Sequence, residues 1–299
     1  MSQLELRGLA NLDPEKLVGV TDLKVWSCAP ACLEQIPDTV ETLSLWYGEL
    51  PNPLRLDHLH RLKSLSLNPP SHPRGGKIAI ASLPAGLEKL DLWASVVERL
   101  PNPLPDLHAL RFDCCDTRAV DWARLPNTLR ELVATRCLLP DTVPLPALPH
   151  LTYTSWHACN LRSARALFET KTLQVVGASL TPLDDETLAA LQALAKRGVL
   201  DAKETKPAKF ELTRRFYAIG VNLSAETQGK KKIRIHHPLM SVVEEFPTGD
   251  VMALAERVVA GETSFVGKAF IDELHRQRYA AMAAAKAAKK AAREAAKKK

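Results

Sequence analysis

The sequence predicts an α/β protein in which a long array of short repeats precedes a small α+β unit and a basic helical tail. Three observations lead there. An L-x-apolar triplet recurs nine times before residue 176. The alternation within each triplet has the period of a strand with one buried face. The pattern then stops, and beyond a polar stretch at 201–209 the composition changes.

The triplets begin at Leu4, Leu23, Leu43, Leu65, Leu90, Leu110, Leu132, Leu151 and Leu173, in steps of 19–25 residues. Three positions before each, eight of nine residues are apolar, which a hydrophobic fraction of 46% does not supply by chance. The segments "IPDTVETLSLW", "LPAGLEKLDLW" and "LPNTLRELVAT" thus carry L-x-x-L-x-L, and this pattern resembles a leucine-rich repeat. Their prolines resemble the short repeats of bacterial effector-type leucine-rich repeat proteins. The resemblance covers about residues 1–180. It implies an α/β solenoid of about nine degenerate repeats, with a parallel sheet on its concave face and irregular turns on its convex face. It also implies one candidate role, that of a secreted effector.

One family feature is missing. Five residues after the marked leucine the family usually has a buried Asn; here no Asn occurs there, and Cys28, Cys115 and Cys137 take three of the positions. Core filling is therefore expected of these cysteines. Metal binding is not, because the paired C-x-x-C spacing is absent. "CCD" at 114–116 matches the C-x-D nucleophile of ubiquitin ligases that follow some effector repeats, but it lies inside a repeat and is set aside. The 25-residue step contains "NPPSHPRGGK" (68–77), whose Pro and Gly density predicts a protruding loop.

In each strand the residues one before, one after and three after the marked leucine face solvent. The last of these columns reads Arg7, Trp26, Trp46, Asn68, Trp93, Asp113, Thr135, Thr154 and Val176. Three of five tryptophans thus share one exposed column in a chain with only 5% aromatics. Trp26 and Trp46 should lie about 4.8 Å apart, with Trp93 about 10 Å beyond Trp46. Tyr47, Lys24, Lys89, Asp91, Arg111 and Asp113 should flank them. Exposed tryptophan concentrates binding energy at protein interfaces, so a protein partner of unknown identity is expected here. Trp122 and Trp156 are expected in the core or turns.

The domain boundaries follow: 1–200 for the repeats with a capping helix in "TPLDDETLAALQALAKRG", 201–209 for a linker, 210–279 for the second unit and 280–299 for the tail. In the second unit, "KFELTRRFYAIGVNL" and "KKKIRIHHPL" read as strands around the turn "SAETQG". "TGDVMALAERVVAG" and "SFVGKAFIDELHRQRYAAM" read as helices. Lys230, Lys231, Lys232 and Arg234 are candidate phosphate contacts. His236 and His237, adjacent on a strand, should point oppositely and share no metal.

The tail holds six lysines and one arginine against one glutamate, which accounts for the whole net charge of +6. A solvated helix is expected there, binding nucleic acid or acidic surfaces weakly and in a salt-dependent way. No aromatics interleave it, which argues against base stacking. No apolar run approaches the roughly 18 residues that span a bilayer, and no secretory signal is visible, so a cytoplasmic address is expected. Phosphate loops, nucleophile elbows and H-E-x-x-H are absent. The expectation is a non-enzymatic protein-binding module without cofactor or metal. The alternative is a nucleic-acid-associated adaptor anchored by 230–237 and the tail.

Overall fold

The computed structural model describes residues 2–7, 14–27, 29–70, 76–140, 142–199, 208–229, 231–237, 239 and 243–297. Cys28, Lys230, most of the 201–209 linker and the centre of the 68–77 loop lie outside them. At its ends that loop is strand: Asn68 closes one strand and Gly76 opens the next.

The molecule is a mixed α/β protein whose repeats form a β-solenoid. Nine parallel strands build one sheet: β1 (Ser2–Arg7), β2 (Val20–Trp26), β3 (Thr42–Trp46), β5 (Ser64–Asn68), β7 (Lys89–Trp93), β9 (Ala109–Asp113), β10 (Glu131–Thr135), β11 (Tyr153–His157) and β12 (Val175–Gly177). Three more, β4 (Leu54–Arg55), β6 (Gly76–Ser82) and β8 (Ser95–Arg99), make a second parallel sheet. The alternation works as sequence periodicity requires. Leu23, Val25, Leu43, Leu45, Leu65, Leu67, Leu90, Leu92, Leu110 and Phe112 are all buried in one continuous core.

Seven of the described turns leave the large sheet in the same way, whereas the chain leaves β5 through Pro69. Ser27, Tyr47, Ala94, Cys114, Arg136, Ala158 and Leu180 all have positive φ, between 46° and 58°. Each directly follows the outermost solvent-facing position of its turn. A left-handed conformation costs an L-residue on the order of 1 kcal/mol, so its recurrence marks a bend that the solenoid imposes at these seven steps.

The register differs from expectation in the last two repeats. Leu132 pairs with Thr154, not Leu151, and Thr154 with Val176. The true step is a constant 22 residues from Leu110 onward, and Leu151 and Leu173 fill the position three before the strand centre. The solvent columns therefore end in Tyr153 and Val175, in Ser155 and Gly177, and in His157 and Ser179. His150, Thr152, Thr154, Thr172, Gln174 and Val176 do not belong to them. Trp156 becomes an inward strand residue, packed on Trp122 at 5.8 Å, and both are buried.

This register also exposes a ladder inside the turns. Ser95, Cys115, Cys137, Cys159 and Thr181 stack at equivalent positions, all buried. The Cys115 thiol donates to the Leu92 carbonyl at 3.2 Å, Cys159 to Ala134 at 3.3 Å, and the Thr181 hydroxyl to Trp156 at 3.1 Å. The Cys137 amide donates to the Cys159 sulfur at 3.4 Å. Burial pushes the Cys115 and Cys137 thiols well above their ordinary range and Cys114 up to about 12. One residue past the ladder, Asn160 clamps Leu139 from both sides, accepting from its amide at 2.6 Å and donating to its carbonyl at 2.9 Å.

A four-residue helix, α1 (Arg165–Phe168), and the longer α2 (Asp185–Lys196) close the solenoid's end, with Leu188, Leu191 and Leu194 in its core. Asp184 caps α2 by accepting from the Thr187 amide at 2.7 Å.

The second unit departs from the β–β–α–α reading. Its order is α3 (Ala208–Ala218), β13 (Ser224–Gln228), β14 (Lys232–His236), β15 (Val243–Pro247), α4 (Thr248–Val259) and α5 (Lys268–Lys297), with the strands in one antiparallel sheet. "KFELTRRFYA" is a helix because Phe210, Thr213, Phe216 and Tyr217, spaced at three and four, are its buried residues. "SAETQ", expected as a turn, is β13, held to α3 by Thr213, whose hydroxyl donates to and accepts from the Ala225 backbone at 3.0 Å. The unit has its own core around Phe216, Ile233, Ile235, Phe246, Phe270 and Leu274. It also docks on the solenoid: Phe210 joins the solenoid core, Arg214 pairs with Asp185 at 2.7 Å, and the Leu239 amide donates to the Arg136 carbonyl at 2.8 Å.

Candidate functional site

The open face of the large sheet carries the aromatic cluster. Parallel pairing sets Trp26 beside Trp46 and Trp46 beside Asn68. The Trp26 and Trp46 rings stack with centroids 5.2 Å apart. Trp93 is closer than strand spacing alone predicts, at 6.1 Å from Trp46 rather than about 10 Å. The reason is Asn68, whose small side chain lies between them, only 7% exposed, so the indoles close over it. Tyr47, turned back by its positive φ, stacks on Trp26 at 5.6 Å and remains 45% exposed.

Cations complete part of the cluster. Lys24 Nζ sits 5.0 Å from the Trp26 ring and 5.4 Å from the Trp46 ring, and Arg7 lies 5.7 Å from Trp26. Contacts of this kind contribute about 0.5–1 kcal/mol at exposed sites. Arg7 also pairs with Glu5 at 3.0 Å, and chiefly this bond holds the Glu5 carboxyl below its usual range. Trp93 carries no such cation among the described residues and is the most exposed of the three, at 37%.

Beside Trp93 opens a groove of about 610 Å³ lined by Arg111, Phe112, Asp113, Glu131, Val133, Thr135 and Tyr153. Its charges are paired in place: Arg111 with Glu131, and Asp113 with Arg136 at 2.8 Å. The Glu131 hydrogen bond is the main cause of a raised Arg111 pKa, so this guanidinium stays charged throughout. Lys89 pairs with Asp91 at 3.1 Å. Trp46 Nε1, Asn68 Oδ1 and Asp91 Oδ1 are buried without a hydrogen-bond partner in the protein. Buried polar atoms left without a partner are costly, each about 1–3 kcal/mol.

All nine candidate residues therefore fall on or beside one continuous surface. Sequence reasoning missed Glu131, Val133, Thr135 and Tyr153 as groove walls. Tyr153, 38% exposed, was hidden by the register slip; the constant 22-residue spacing of Cys115, Cys137 and Cys159 was the signal that could have found it.

The candidate phosphate residues behave differently. Arg234 pairs with Glu226 at 3.2 Å and Glu245 at 2.9 Å, and Lys232 pairs with Glu245 at 3.3 Å. Lys231 is exposed, and Lys230 lies outside the described residues. Ion pairs within the second sheet thus engage two of the four cations the sequence offered to phosphates. His236 is buried, with its ring edge-on to His157 at 5.8 Å. Among the described residues no cluster of His, Cys, Asp and Glu has the geometry of a metal site, and no helix is long and apolar enough to cross a membrane.

Compared with known proteins, the chain matches no family model and no curated protein.

Proposed function

We propose that this chain is a leucine-rich repeat-type binding protein, not an enzyme, whose open sheet face engages a protein partner through Trp26, Trp46, Trp93 and Tyr47 and the adjoining groove. The observation that carries the reading is Trp93: a large aromatic left 37% exposed, with no cation over its ring among the described residues, at the junction of a stacked cluster and a 610 Å³ groove. Large aromatics in such positions remove much apolar area on binding while freezing few rotors. The 22-residue turns and the buried Cys ladder support the repeat assignment.

The test is affinity capture from nuclease-treated lysate, comparing the intact protein with Trp93→Ala and with Trp93→Ala/Tyr153→Ala. A protein retained by the intact chain and lost from both variants, each still folded by circular dichroism, supports the reading. Equal capture by folded variants rejects it.

A further inference from the structure

The tail of α5 is built as a one-sided cationic ridge. Lys286, Lys289 and Lys290 are exposed, and the sequence repeats their spacing at Arg293 and Lys297. The steps of three, four, seven and eleven residues from Lys286 place all five within an arc of about 100° on a helix of 3.6 residues per turn. The opposite half is alanine: Ala280, Ala281, Ala284, Ala285, Ala288 and Ala291, all exposed. Over eleven residues the ridge runs roughly 16 Å along the axis.

We propose that this ridge is a binding site for the phosphate backbone of double-stranded DNA. Charge complementarity selects a polyanion, because the tail carries the chain's entire net charge of +6 while the rest is balanced. A membrane surface fits poorly: an interfacial helix needs a large apolar face opposite its charges, and alanine does not provide one. Single strands are bound by aromatic stacking interleaved with charge, which this tail lacks beyond Tyr279. The A-form major groove is too narrow for side chains to read, whereas that of B-DNA, about 12 Å wide, admits a helix. An alanine-backed helix is slender enough to enter. With only Lys, Arg, Ala and Glu from position 283 onward, no side chain is suited to reading bases broadly, so recognition is of backbone and shape rather than sequence. This inference does not depend on the aromatic face.

The test uses the full chain and a labelled 24-base-pair duplex, read by fluorescence anisotropy across a salt series. The key variant moves charge without changing it: Lys286→Ala/Ala284→Lys/Lys290→Ala/Ala288→Lys, which transfers two lysines to the alanine face. The intact protein should bind with a log–log salt slope of about −3 to −4.5, from roughly −0.9 per phosphate neutralised. The rearranged variant should bind about tenfold more weakly with a shallower slope. Equal binding by the two would overturn the proposal, reducing the tail to a diffuse polycation. It is also overturned by absent duplex binding, by tighter binding to a 24-nucleotide single strand, or by equal affinity for vesicles of phosphatidylserine in phosphatidylcholine at matched phosphate.

Discussion

Trp46 sits at the centre of the aromatic cluster, touching Trp26, Tyr47 and Trp93, whereas Trp93 has a single ring neighbour among the described residues. Their substitutions should separate stability from binding. Trp46→Ala is expected to cost about 2–3 kcal/mol, because it opens the stack on both sides, and Trp93→Ala under about 1 kcal/mol. Urea denaturation measures both, and equal losses would mean that Trp93 is structural. The thiols offer a second check. Cys32, Cys114, Cys115, Cys137 and Cys159 are all buried, so in a Cys28→Ser background iodoacetamide at pH 8 should label none until the protein is unfolded. Rapid labelling of the native protein at Cys115, Cys137 or Cys159 would contradict the ladder. Asn160→Ala, which strands both backbone groups of Leu139, should cost about 2 kcal/mol in the same denaturation assay.

At the scale of elements, strands with leucine at the first inward position and an apolar residue at the second were legible in the sequence because their alternation is unbroken, and this placed Trp26, Trp46 and Trp93 on one face. It failed where the inward residues are not leucine. Thr154 and Trp156 replace that pair in β11, so the nearest leucine, Leu151, drew the register three residues too early and concealed Tyr153. In α3 the order Phe–x–Leu mimics strand alternation, and only burial at Phe210, Thr213, Phe216 and Tyr217 reveals the helical period. The closeness of Trp93 to Trp46 was not legible either, since it depends on how far Asn68 lets two side chains lean. The β11–β14 contact yields a pH prediction. Burial, reinforced by His157, pushes His236 down to about 4. The unfolded chain, with a histidine pKa near about 6.5, then takes up the proton first. This contribution is complete above that pH and is lost progressively as pH falls toward 4. The urea midpoint of the intact protein should therefore drop relative to His236→Gln across that window and run parallel to it above pH 7. Parallel behaviour throughout would mean that His236 titrates normally.

Over the whole molecule, two cores meet at the solenoid's end. Phe210 and Arg214 hold the second unit at the solenoid's end, and His236 and Leu239 bring it against His157 and Arg136 at the far edge of the groove, well along the sheet from Trp26 and Trp46. That division separates a face suited to a protein partner from a charged helix suited to phosphates. Photo-crosslinking tests the central claim most directly. A p-benzoylphenylalanine placed at Tyr153, in the groove, is compared with one at Val259, an exposed residue of the second unit. The account predicts a discrete protein adduct from position 153 that disappears on Trp93→Ala, and none from position 259. Adducts from 259 with none from 153 would contradict it and transfer partner binding to the second unit.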